Sequence, residues 1–288
     1  MFKLENPYDS DGSWYKGNLH THTTFSDGKL SLPEVIATYQ RLGYDFLAIS
    51  DHDFLTNLAP FRSSTKMELI PAAEGGGGPH ILCLSIKEAI MPNSISRQEM
   101  IDRVNSQGGL AILNHPNWGM DFNHWDQPVL QSLNGYEGIE IYNGVVERLE
   151  GSSLATDRWD RLLSKGITTW GYATDDFHRP EDIGRGWVVV KARGKTLNSL
   201  IEALRMGRFY ASTGVETLNV RSSDTVIFVE ASNAQRIKFI GLWGRELKLI
   251  DGNKGEYKVK GDESYVRAEC YGMGGHVAWT QPIWVRQA

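Results

Sequence analysis

Cysteine is scarce in this chain. Of 288 residues only Cys83 and Cys270 are cysteine, each in an apolar context, "HILCLSI" and "VRAECYG". Two such residues make no disulfide framework, so the expected home is reducing and cytoplasmic. Runs of Lys and Arg are missing and the net charge is -5. No nucleic acid polymer is therefore expected as a partner, because phosphate backbones need clustered cations. No apolar run approaches the ~20 residues of a membrane helix, so no membrane partner is expected. The opening residues, "MFKLENPYDSDGSW", lack the apolar stretch of a signal peptide. There is no Gly-x-Ser-x-Gly elbow and no phosphate loop, which leaves a serine nucleophile and nucleotide-driven chemistry without support. The glycine run in "EGGGGPH" (74–80) lacks the Lys-Ser/Thr of a phosphate loop and reads as a flexible lip.

What is present is alternation. Up to about residue 214, short apolar runs alternate with amphipathic helices. Buried strands are predicted at 46–50, 69–73, 80–86, 109–114, 138–143, 168–174 and 187–192. Between them, "SLPEVIATYQRLG" opens with Ser31 and has Glu34 three residues on, a capping box with Pro33 in the first turn. "SRQEMIDRVNSQGG" repeats the pattern from Ser96, and "TLNSLIEALRMG" does so from Thr196 to Gly207. A further helix is predicted over 154–165. Apolar strands separated by helices are expected to run parallel, covered on both faces, giving an α/β barrel or a doubly wound sheet. From about residue 215 the helical period disappears. Residues 215–288 are expected to form a small antiparallel, sandwich-like β domain packed on a first domain of residues 1–214.

The histidines fall where chemistry is expected. His20 and His22 follow the first strand, with Asp27 close behind. His52 follows the strand at 46–50, Glu74 the strand at 69–73, and His115 the strand at 109–114. Asp175, Asp176 and His178 follow the strand at 168–174. In α/β barrels the site is built from loops at that end of the strands. In His-x-His on an extended segment both side chains point the same way, because strand side chains repeat every two residues. Both imidazoles can then reach one cation. Asp176 and His178 repeat that spacing, and Glu74 has two oxygens able to bridge two ions. Imidazole and carboxylate without thiolate suit Zn²⁺, Mn²⁺ or Fe²⁺. Acids this dense repel one another when buried unless cations neutralise them. His80, just after the glycine run, is either a further ligand or a substrate contact.

The motifs "HTHTTFSDG", "ISDHD", "AAEG", "LNHP" and "TDDFH" together resemble the PHP superfamily, the polymerase and histidinol phosphatase metallohydrolases, over roughly residues 14–214. "EIYN", "LRMGRFYASTG" and "AWTQPIWV" resemble one branch of it, the carbaryl-hydrolase-like metallohydrolases. The resemblance implies a distorted (β/α)7 barrel holding two or three divalent metal ions. Carried over by motif, His20, His22, Glu74 and Asp176 would hold one ion. Glu74 and His115 would hold a second, and Asp27, His52 and His178 a third. Many members place another His well after the motif glutamate. Here only His80 is available, six residues beyond Glu74, so the number of ions stays open between two and three.

Two ions a few Å apart lower the pKa of a bridging water and stabilise an in-line displacement. The expected function is a phosphoesterase acting, through that metal-bridged hydroxide, on a small phosphorylated metabolite or nucleotide. Asp175 and His80 are the candidates for protonating the leaving group, and Arg179 and Arg185 for contacting the phosphate. The alternatives are a carbamate, ester or amide hydrolase, and a non-catalytic, metal-stabilised binding module using tail aromatics such as Trp243, Trp279 and Trp284. The sequence sets no oligomeric state.

Overall fold

Local chemistry places the helix ends. In the computed structural model, which describes residues 2–287, α1 (Leu32–Arg41) starts where the Glu34 carboxylate accepts from both the N–H and the hydroxyl of Ser31 (2.8 and 2.6 Å). Helix α2 (Arg97–Ser106) starts where the Glu99 N–H donates to the Ser96 hydroxyl at 3.1 Å. Such caps satisfy backbone donors that the first turn leaves unpaired. A short six-residue helix, α3 (Gln127–Ser132), follows α2. Helices α4 (Thr156–Ser164) and α5 (Leu197–Arg205) occupy the remaining predicted positions.

Most of the strands form one large mixed sheet. Strands β1 (Phe2–Glu5), β2 (Ser13–Asn18), β3 (Phe46–Ile49), β4 (Glu68–Gly75), β5 (Ile81–Leu84), β6 (Leu110–Leu113), β7 (Gly138–Asn143), β8 (Trp170–Thr174), β9 (Trp187–Ala192) and β10 (Phe209–Ser212) lie in the first part of the chain. The ladders β2–β3–β4 and β6–β7–β8 are parallel. The predicted run at 80–86 departs from the parallel expectation. Strand β5 lies antiparallel between β4 and β6. Only residues 76–80 link β4 to β5, and a parallel crossover needs a dozen or more. Strand β9 is likewise antiparallel to both β2 and β10.

The remaining strands are β11 (Thr217–Ser222), β12 (Val226–Ala231), β13 (Ala234–Gly241), β14 (Arg245–Asp251), β15 (Lys254–Lys258), β16 (Tyr265–Gly272), β17 (Val277–Thr280) and β18 (Ile283–Gln287). The large sheet runs β1-β18-β16-β17-β10-β9-β2-β3-β4-β5-β6-β7-β8, with β13 and β14 branching from β16, while β11, β12 and β15 form a separate sheet. The mixed α/β architecture is therefore present, but among the described residues the ladder stays open at β8. Among the described residues no closed barrel forms. One isolated parallel bridge, Thr21 with Phe177, joins the segments that follow β2 and β8. Its hydrogen bonds run from His22 N–H to Phe177 O (2.9 Å) and from Phe177 N–H to His20 O (3.2 Å).

The C-terminal strands are tied to the rest by a buried ionic knot. Arg267 of β16 donates to both oxygens of Asp160 on α4 (2.8 and 2.7 Å) and to Glu269 (2.8 Å). Trp279 and Trp284 are buried, whereas Trp243 is exposed. Among the described residues no helix is long and apolar enough to cross a membrane. Both cysteines are free and buried.

Candidate metal centre

The sheet order brings the predicted residues to one mouth. Strands β2, β3, β4, β6, β7 and β8 end there because their parallel ladders share a direction. Strand β5 runs the other way, so its beginning lies at the same mouth, and that is why His80 joins the group. The isolated bridge past β2 and β8 then sets the His20–His22 segment beside Asp176–His178.

Glu74 sits at the middle, almost wholly buried. Its Oε2 lies 3.1 Å from His20 Nε2, 3.3 Å from His22 Nε2 and 3.2 Å from His52 Nδ1. Its Oε1 lies 3.1 Å from His80 Nδ1 and 3.2 Å from His115 Nε2, and accepts from Asn114 Nδ2 at 2.7 Å. Asp176 Oδ1 stands 3.2 Å from His20 Nε2 and 3.3 Å from His22 Nε2. Asp27, more exposed, lies 3.3 Å from His178 Nε2 and 3.8 Å from His52 Nε2. The donor atoms fall into overlapping sets: His20, His22, Glu74 and Asp176; His22, Asp27, His52 and His178; His52, Glu74 and His80; and His80, His115 and His124.

Whether these residues fit a cation is tested by their unpaired atoms. His20 Nε2, His22 Nε2 and Asp176 Oδ1 are buried and have no hydrogen-bond partner, yet they converge. An unpaired buried polar atom costs about 1–3 kcal/mol, so three aimed at one point are not an accident of packing. Ligand bonds of about 2.0–2.2 Å set neighbouring donors roughly 3.0–3.4 Å apart around a cation. The separations of Glu74 and Asp176 from the histidines above, 3.1–3.3 Å, have that spacing. The backbone is strained at two of the same positions: His115 has φ 31° and Asp176 φ 51°, left-handed values that non-glycine residues adopt rarely and mostly where function holds them.

The electrostatics demand positive charge. Burial disfavours a charged His20, but Asp176, Glu74 and Glu140 outweigh it and raise the imidazole well above its ordinary range. His22 is raised to about 9, its burial outweighed by the Asp176 and Glu74 carboxylates beside it. For Glu74 burial pushes upward, and the surrounding histidines hold the carboxyl well below its usual value. The hydrogen bond to His178 likewise lowers Asp27.

One residue was missed by the sequence reading. Glu140, in the middle of β7 and nearly fully buried, holds His20 from behind: His20 Nδ1 lies 2.8 Å from its Oε1. The same oxygen accepts from Thr174 Oγ1 at 2.6 Å, and Oε2 accepts from His115 N–H and Asn143 Nδ2, both at 2.8 Å. A carboxylate on the far nitrogen fixes a ligand's tautomer and leaves its other nitrogen free for metal. The available signal was a lone acid inside the otherwise apolar strand "GIEIYN".

Other predicted residues lie elsewhere. Asp175 is turned away from the cluster. It accepts from Tyr39 Oη (2.7 Å) and from the N–H groups of Gly184, Arg185 and Gly186 (3.0, 2.7 and 2.9 Å). Burial pushes its carboxyl up to about 6. Arg185 also faces away, paired with Glu147 at 2.7 Å. Arg179 lines the cavity over the cluster, about 350 Å³ in volume, together with Lys29, His52, His80 and His178. His124 accepts the His80 N–H at 2.9 Å, and burial together with His115 and His80 lowers its imidazole to about 3.

No family model matches the chain. An uncharacterized protein of Methanocaldococcus jannaschii is 26% identical over 149 residues, 44% of this chain and 81% of that protein. Among solved structures, a two-domain protein of Bacteroides vulgatus, described as containing a predicted PHP-like metal-dependent phosphoesterase, aligns with a TM-score of 0.59. It is 18% identical, over 99% of this chain and 90% of that one. A lesion-specific endonuclease of Pyrococcus furiosus, 15% identical over 67% of this chain and 56% of its own, aligns at 0.46, too low to carry an argument. The Bacteroides likeness establishes that the chain shares its fold with that two-domain protein.

Proposed function

We propose that this chain is a metal-dependent phosphoesterase of PHP type, acting on a small phosphorylated metabolite or nucleotide. The observation that carries the reading is the convergence of unpaired His20 Nε2, His22 Nε2 and Asp176 Oδ1 on Glu74. His20, His22, Glu74 and Asp176 would hold one divalent ion, and Glu74 and His115 a second. Asp27, His52 and His178 would hold a third. Two or three Mn, Zn or Fe ions in these places supply Lewis acidity toward a phosphoryl oxygen and the attacking water. The protein's own part is orientation and charge. Lys29 and Arg179 line the cavity and make no side-chain ion pair among the described residues, so they are free to meet an anionic substrate. His80, partly exposed at the cavity, is placed to protonate the leaving oxygen. Asp175 and Arg185 act from outside the site by shaping the 184–186 turn. The description of the Bacteroides protein agrees with this reading. We place the chain in the cytoplasm with a small-molecule substrate, and take residues 1–214 as the metallohydrolase unit with 215–288 as an appended β unit.

A carbamate or ester hydrolase is the second reading, favoured by Trp118, Val145, Val146 and Leu149 in the same cavity. Elemental analysis of chelator-free protein, followed by assays of phosphate release and of aryl carbamate or ester cleavage after Mn²⁺ addition, separates the two. Two or three ions with phosphate release support the phosphoesterase. Ions with carbamate or ester cleavage and no phosphate release move the assignment to the second reading. Less than one ion, not restored by Mn²⁺, Zn²⁺ or Fe²⁺, defeats both.

A further inference from the structure

The cavity over the cluster has an apolar side, made by Trp118, Val145, Val146 and Leu149. Val145 and Val146 lie in the single turn after β7, residues Val145–Arg148. They are packed into the body of the chain, only 3% and 2% exposed. They line the cavity with Trp118 and with Leu149, which is 42% exposed. Trp118 is held in place: its ring stands edge-on to His115, centroids 5.0 Å apart, and lies 4.8 Å from His124. Apolar side chains that line a cavity beside a cluster of ligating groups are placed to meet the apolar part of a ligand.

The wall is also fixed relative to the metal centre. Arg148, last residue of the turn, donates to both oxygens of buried Asp182 at 2.7 and 2.9 Å. Asp182 accepts as well from the N–H groups of His178 (3.1 Å) and Arg179 (2.9 Å). One carboxylate thus joins the apolar turn to the segment that carries a candidate ligand and a candidate phosphate contact. Tyr142 Oη donates to Glu147 of the same turn at 2.7 Å.

We infer that Val146, Leu149 and Trp118 select the leaving group, and that the substrate is a small phosphomonoester of a flat, apolar alcohol, an aryl or heteroaromatic phosphate. The inference rests on the phosphoesterase reading and adds the substrate class to it. A sugar or polyol phosphate would press hydroxyls against valine methyls that offer no hydrogen bond, and burying an unpaired hydroxyl is costly. A ring against the wall loses nothing of the kind. Lys29 and Arg179 take the anionic end. Hydrolysis adds water across the P–O ester bond and releases phosphate and the aromatic alcohol, with no co-reactant.

The test separates binding from turnover. Equilibrium binding of phenylphosphonate and methylphosphonate, neither of which can be hydrolysed at an ester bond, is measured by calorimetry on Mn²⁺-loaded wild type and on a Val146→Thr, Leu149→Ser double variant. The wild type should bind the aryl compound roughly ten- to hundredfold more tightly, the range a hydrophobic pocket supplies. The double variant should lose most of that preference while keeping its affinity for methylphosphonate and its metal content. If the double variant loses its ions, Leu149→Ser alone, at an exposed position, carries the comparison. Equal wild-type affinity for the two phosphonates, or a preference that survives the substitutions, overturns the inference. Preferential binding with no phosphate released from phenyl phosphate overturns the phosphoesterase reading instead, and leaves the ligand class supported.

Discussion

Replacing Glu140 with glutamine tests how the centre is held together. Four donors meet this carboxylate in pairs: Thr174 Oγ1 and His20 Nδ1 at Oε1, His115 N–H and Asn143 Nδ2 at Oε2. Glutamine has the same shape but only one acceptor oxygen, and its other terminal atom is an NH₂ donor. Either orientation leaves one pair of donors facing a donor. With the amide nitrogen toward His20, the imidazole must turn its Nδ1 into an acceptor and carry its proton on Nε2, the atom aimed at Glu74 and Asp176. With the nitrogen toward His115, the backbone of a candidate ligand already at φ 31° is pushed aside. Both routes damage a candidate ligand that Glu140 itself never replaces.

Loss of such a supporting carboxylate typically lowers metal affinity 10- to 100-fold, which is about 1.4–2.7 kcal/mol. Competition against a chromophoric chelator, with Zn²⁺ or Mn²⁺ as titrant, measures this directly, and circular dichroism shows that the variant is folded. The expected result is a weakened tightest site with the ion count unchanged at saturating metal. A folded Glu140→Gln protein whose metal affinity stays within about twofold of wild type would refute the argument that Glu140 sets the His20 tautomer.

Metal removal should destabilise the chain: an ion held at 1,000 times its dissociation constant contributes about 4 kcal/mol, so chelation should lower the melting temperature on the order of 10 °C, read by scanning calorimetry with and without EDTA. Arg267→Met strands Asp160 and Glu269 in a buried setting and should cost about 3–5 kcal/mol, measured by denaturant titration; a loss under 1 kcal/mol would mean the knot is not holding β16 to α4. For Glu269, burial pushes the carboxyl up, but Arg267 and Tyr271 outweigh it and keep it below its usual 4.5. The unfolded chain therefore takes up that proton first as pH falls, and this contribution to stability, full above pH 4.5, is lost as pH drops through the lower folded-state value; unfolding curves from pH 6 to 3 should show the decline in wild type and a shallower one in Glu269→Gln. Gly138→Ala places a methyl 2.2 Å from the Trp170 carbonyl oxygen and 2.4 Å from the Tyr172 ring, and should cost about 1–3 kcal/mol by overpacking, seen as a lower urea midpoint.

Much of the centre was legible because its signals are local. The two-residue period of an extended chain is enough to set His20 and His22 on one side, and the rings do lie 5.1 Å apart. Helix starts at Ser31 and Ser96 are readable from the cap and the residue three further on. Orientation was harder. Which of Asp175 and Asp176 faces the cluster depends on the left-handed backbone at Asp176 and on Tyr39, which arrives from α1 to hold Asp175. Arg185 follows the motif directly in sequence, but its partner Glu147 lies on another loop. The direction of β5 was available in principle, since residues 76–80 are too short for a crossover. An apolar run carries no mark of its own direction. Glu140 shows the opposite case: its position in an apolar strand was visible, but its role depends on a histidine 120 residues away in sequence.

The centre also bears on stability. Three donor atoms are buried without partners, and two neighbouring positions take backbone conformations that cost of order 1–3 kcal/mol each. A site of this kind persists only where its surroundings over-determine it. Here they do: Asn114 holds Glu74, Asn143 reaches both Glu140 and Asp176, and Asp51 gathers Thr23, Ser26 and Thr56 beneath the His22 loop. These polar supports all lie at strand ends or in the loops just beyond them, while the strands behind are almost entirely apolar. The sheet supplies rigidity by burying hydrocarbon. Its mouth uses that rigidity to hold the Glu74 and Asp176 carboxylates 3.1–3.3 Å from the imidazoles of His20 and His22.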